Sequence, residues 1–92
     1  MDPSVKIALT QINQELSAVG DRLSAIDFGA GDPMGHWKAI GELSTRVRQA
    51  ALALPADVLA GCPQLTDFAH ATRGLEGCWG SCLDEVQALL AA

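Results

Sequence analysis

Val5, Leu9, Ile12, Leu16, Val19, Leu23 and Ile26 recur at spacings of 4, 3, 4, 3, 4 and 3. A half-buried strand alternates with period two, so this stretch is confined to a helix with a single apolar seam of heptad type. Asp2 and Pro3 supply a cap and a proline at the first helical position, and Gly29 stands where a helix C-terminal glycine belongs. These signals predict a helix over about 3–27, which at 1.5 Å per residue is about 37 Å long.

The run DFGAGDPMG holds three glycines, a proline and two aspartates and is read as a loop. Asp32 and Pro33 repeat the cap-and-proline start. Met34, Trp37, Ile40, Leu43, Val47, Ala50 and Leu54 follow at helical spacing, which predicts a second helix over about 33–54. Pro55 ends it, residues 56–60 are read as a short helical turn, and Gly61-Cys62-Pro63 interrupts the chain again. Leu65, Phe68, Thr72, Leu75, Trp79, Cys82, Val86 and Leu89 then form a second seam, spaced 3, 4, 3, 4, 3, 4 and 3, which predicts a third helix over about 63–91.

No stretch of useful length alternates with period two. The fold class is therefore all-α, a small antiparallel bundle of three main helices in a single domain spanning residues 1–92. The two long seams offer more apolar surface than so small a domain is expected to need, which points to a homodimer or a helical partner.

Composition narrows the setting. Three cysteines, an odd number, suit a reducing cytoplasm better than a secreted disulfide framework. The N-terminus lacks the basic and apolar regions of a secretory signal. The longest apolar runs, AALAL and ALLAA, are far short of the roughly 20 residues of a membrane span. A net charge of −5 with six lysines and arginines would repel a phosphate backbone, so the expected partner is a protein, with no direct nucleic acid and no membrane.

The stretch GLEGCWGSC, residues 74–82, is the densest in chemistry. On a continuous helix Cys78 and Cys82 lie one turn apart on one side. With Cys62 and His70 they make up a Cys₃His set of the kind tetrahedral zinc accepts, although Cys62 and His70 lack the close-spaced partners of zinc motifs. C-x-x-x-C is likewise not the C-x-x-C of thioredoxin-like proteins. At a seam position, Cys82 is expected to pack as a small hydrophobe. Gly74, Gly77 and Gly80 either break the helix or smooth one face of it. Because the seam keeps its phase through them, the expectation is a continuous helix with Gly74, Cys78 and Ser81 as a flat contact strip beside Trp79.

Catalysis has no foothold. G-x-S-x-G is absent, and GAGDPMG lacks the lysine and preceding strand of a phosphate loop. His36 is expected to be solvated and Trp37 to sit in core or interface. Asp57, Asp67, Glu76, Asp84 and Glu85 are read as solvated faces, whereas Lys38, Arg46 and Arg48 share the second helix and could meet acidic faces of this chain or of a partner.

One local likeness bears on the partner. In ALPADVLAGCPQL, Ala53, Leu54 and Pro55 end one helix and Cys62, Pro63 and Gln64 lead into the next. This resembles the corresponding hinge of the TraM-type antiactivators, small all-helical bacterial proteins that bind LuxR-type quorum-sensing activators and block their DNA binding. The resemblance covers about a dozen of the 92 residues, and no binding residue is carried over from it. It implies an inhibitor acting in transcription regulation.

The expected function is thus a non-enzymatic interaction module, without cofactor, that inhibits or sequesters a protein such as a bacterial transcriptional regulator. Leu16, Leu23, Leu75, Trp79 and Val86, with Gly74, Cys78 and Ser81, are its expected core or interface anchors. Two alternatives stand beside it. One is a metal or redox sensor built on Cys62, His70, Cys78 and Cys82; the other is a small subunit or chaperone of a larger assembly.

Overall fold

In the computed structural model, which describes residues 1–92, the first helix, α1, runs Pro3–Asp27. The Asp2 carboxylate accepts from the Ser4 amide at 2.8 Å and from the Ser4 hydroxyl at 2.7 Å, satisfying donors that the helix itself leaves open. Those two bonds hold its carboxyl below the usual range, the hydroxyl contributing most. At the other end Gly29, with φ +69°, donates to Ile26 at 3.1 Å, and Ala30 donates to Ala25 at 2.8 Å. This is a Schellman cap, and the left-handed turn it needs explains the glycine.

The second helix, α2, runs Pro33–Leu52 and is capped by Asp32, which accepts from the Met34 amide at 3.2 Å. It folds back along α1. Arg22 near the end of α1 meets His36 near the start of α2, while Ala8 near the start of α1 lines one groove with Ala50.

The chain then makes α3, Ala56–Ala60, and α4, Pro63–Ala69. After a turn comes a 3₁₀ segment, Leu75–Gly77, and finally α5, Trp79–Ala91. The molecule is all-helical, but the helix expected over 63–91 is divided. Its two halves do not run end to end, since α4 packs against both α2 and α5.

Two causes combine. Gly74 and Gly77 each make helix less favourable by roughly 0.5–1 kcal/mol relative to alanine. Partners from α2 also take over backbone groups in the break. The buried Ser44 hydroxyl donates to the Ile40 carbonyl at 2.8 Å and accepts from the Leu75 amide at 3.1 Å. Arg48 lies 4.6 Å over the Phe68 ring and donates to the Arg73 carbonyl.

A second unexpected tie comes from Glu85. Far from being solvated, its carboxylate accepts from the amides of Gln64 and Leu65, both at 3.0 Å, and so caps the start of α4 from within α5. The Thr66 hydroxyl bonds the Leu59 carbonyl at 2.6 Å and fastens α4 to α3.

The result has α1 as a spine with α2 and α5 on either flank, and α4 with the 3₁₀ turn closing the space between those flanks. Val5, Leu9, Ile12, Leu16 and Val19 meet Val47, Ala51, Leu65, Phe68, Leu75, Cys82 and Val86 in one core. The two seams expected to remain in part uncovered therefore cover each other. No helix is long and apolar enough to cross a membrane.

Candidate interaction surface at the hairpin end

With the seams largely covered internally, six large apolar side chains stay exposed: Met1, Ile7 and Leu52, and three that share one turn. Phe28 is 87% exposed, Met34 74% and Trp37 44%, and all three lie within ten positions at the turn between α1 and α2. Burying such a side chain is ordinarily favourable by about 1.5–3 kcal/mol, and the fold gains little of that from Phe28 and Met34 and only part of it from Trp37.

The turn that presents them is held firmly. The left-handed glycines Gly29 and Gly31 reverse the chain. Arg22 donates to His36 Nδ1 at 3.2 Å, and His36 Nε2–H donates to the Ala30 carbonyl at 2.6 Å. His36, expected to be solvated, is half-buried and its ring clasps the hairpin through both nitrogens.

Trp37 also forms one wall of a cavity of about 290 Å³ between α2 and the 72–76 turn. Ser44, Thr45, Arg48, Thr72, Arg73 and Glu76 are among the residues that line the rest. Arg73 pairs with Asp67, and Arg48 Nε has no hydrogen-bond partner. The hairpin end is thus an aromatic and aliphatic patch that continues into a cleft rich in hydrogen-bond donors.

The residues expected as anchors divide by burial. Leu16, Leu75 and Val86 are fully buried core residues, Cys78 is nearly so, and Leu23 is partly buried. Trp79 is half-buried because its ring rests on Gly20 of α1, where an added Cβ would come within 2.7 Å of the indole. Gly20, which the seam pattern does not single out, is thus the glycine that permits close helix approach. The expected strip of Gly74, Cys78 and Ser81 does not exist as one face. Gly74 precedes the 3₁₀ turn, Cys78 faces the core, and Ser81 is exposed in the first turn of α5.

Cys62, Cys78 and Cys82 are all buried free thiols. Burial, with Cys78 as neighbour, pushes the Cys82 thiol up to about 12, and burial also raises Cys62, with Glu85 adding to it. His70, the fourth member of the conceivable metal set, is exposed and bonds the Thr66 carbonyl through Nδ1 at 2.9 Å. No three His, Cys, Asp or Glu side chains stand where they could hold a metal ion.

No family model matches the chain, and no curated protein or solved structure matches it at a significant level.

Proposed function

We propose that this chain is a non-enzymatic interaction module that binds a protein partner through the hairpin end and sequesters it. The observation carrying this reading is the exposure of Phe28, Met34 and Trp37 on a turn whose backbone is fixed by two capped helices and the His36 clasp. A preordered apolar patch loses little conformational freedom on binding, and aromatic side chains are the usual energetic centres of protein contacts. Arg48, whose Nε lacks a hydrogen-bond partner, lines the cleft beside Trp37 and favours a partner segment that brings a carboxylate together with apolar side chains.

The cysteines and histidines are occupied in ways that suit this reading. The thiols pack in the core, and each imidazole bonds a backbone carbonyl. The partner class proposed is a bacterial transcriptional regulator, with the chain as its antiactivator. That proposal rests on the likeness of residues 53–64 to the TraM-type hinge.

The test is a surface variant carrying Phe28→Ser and Trp37→Ala, assayed against a panel of LuxR-type regulators for inhibition of DNA binding. The expected result is inhibition of at least one regulator by the native chain, lost in the variant while its thermal midpoint is unchanged. Inhibition retained by a folded variant would overturn the assignment of the surface. Inhibition of none by the native chain would overturn the regulator as partner.

A further inference from the structure

On nearly the opposite side of α2 from Arg48, α1 and α2 enclose a second groove of about 450 Å³. Its walls are Ala8, Gln11 and Glu15 from α1 and Arg46, Gln49 and Ala50 from α2. Glu15 is only 9% exposed. Its Oε1 accepts a long bond of 3.4 Å from Gln11, and its Oε2 has no partner. A buried carboxylate oxygen without a donor is costly, and such groups in folded proteins are ordinarily paired. Arg46, exposed on the facing wall, does not pair with it; the ion pair between Arg73 and Asp67 is the one this chain makes.

We infer that this groove is a self-association surface whose occupant is the same groove of a second copy of the chain. The anion lies on one wall and the unpaired cation on the other, so the surface is complementary to itself. A two-fold axis running along the groove sets α1 of one copy over α2 of the other. Each Arg46 then meets the Glu15 of its mate, and the two pairs form together. Ala8 and Ala50 keep the walls low enough for helices to approach, and Gln11 and Gln49 add amides that both donate and accept. A chain of net charge −5 repels its own copy overall, so association needs a place where cation faces anion, and this groove supplies one. The surface is separate from the hairpin end, so this inference stands or falls independently of the proposed function.

Sedimentation at micromolar concentration tests it. The native chain should be a dimer, and R46E, a change at an exposed position, should weaken the dimer on the order of a hundredfold. E15R should do the same. The deciding sample is an equal mixture of the two variants. One copy then carries two cations and the other two anions, and the mixture should form a one-to-one dimer that neither variant forms alone. If Arg46 instead turns inward to its own Glu15, or the groove serves a different protein, the native chain is monomeric and the mixture stays monomeric, which overturns the proposal. Should circular dichroism show E15R unfolded, R46E decides alone: loss of the dimer supports the proposal, and a dimer that persists overturns it.

Discussion

Helix α1 and the segment 63–91 carry the same kind of apolar seam, yet one is a single helix and the other is in pieces. In α1, Val5 through Val19 are buried in succession along one unbroken face. In 63–91 the members Leu65, Phe68, Leu75, Cys82 and Val86 are equally inaccessible, although the backbone between them leaves the helix. The one polar member, Thr72, falls in the break and is exposed. Periodicity therefore states which residues go inside; it does not state that the backbone stays helical between them. Continuity depends on what the backbone groups would lose by leaving, and in 63–91 Ser44, Arg48 and Glu85 replace much of that loss.

If both seams are core, truncation should be severe in either region. Phe68→Ala should lower the unfolding free energy by about 3–5 kcal/mol and Leu16→Ala by about 2–5 kcal/mol, measured by urea denaturation. A loss below about 1 kcal/mol for Phe68→Ala would mean that the divided segment is only loosely attached.

Glycine separates the regions more finely. Gly20→Ala drives a Cβ into the Trp79 ring and should destabilise by about 1–3 kcal/mol. Gly80→Ala, where an added Cβ meets open space, should stabilise by up to about 0.5–1 kcal/mol. A reversed order in thermal melts would mean that the Trp79 ring does not rest on Gly20.

Ser44→Ala leaves the Leu75 amide buried without an acceptor and should cost about 1–3 kcal/mol. Thr10→Ala, which removes a surface hydroxyl bonded to Lys6 within α1, should stay within about 0.5 kcal/mol. Equal effects for the two would show that the break does not lean on α2.

The smallest effect at neutral pH belongs to Cys82. Its thiol is raised from 9.0 to about 12 in the folded chain, so the folded state holds its proton more tightly than the unfolded state. That contribution is fully present below pH 9 and is lost as pH rises from 9 toward 12. Stability of the native chain should fall over that window more steeply than stability of Cys82→Ala.

Much of the N-terminal half was legible because its signals are local. Asp2-Pro3 and Asp32-Pro33 mark the starts of α1 and α2, and Gly29 marks the turn, each within a few residues of the groups it satisfies. The bounds of α3 were legible from Pro55 and Gly61 in the same way. The division of 63–91 was not, because Ser44 is 31 positions from Leu75 and Arg48 is 25 from Arg73.

Surface and core were harder still to tell apart. Leu75 and Val86 carry a seam pattern that suits a partner helix as well as a core, and only packing against α1 and α2 decides between them. Phe28 and Met34 sit at helix ends, where periodicity says nothing about exposure. Gly20 was overlooked because a lone glycine in a well-capped helix gives no hint of an indole lying across it.

Backbone chemical shifts and amide exchange across 63–91 test the central contrast most directly. Helical shifts should cover 63–69 and 79–91, break over 70–78, and leave the Leu75 amide protected within that break, while α1 shows one uninterrupted helical run. An unbroken helical run from 63 to 91, or a Leu75 amide that exchanges as freely as its neighbours, would contradict a divided segment held from α2.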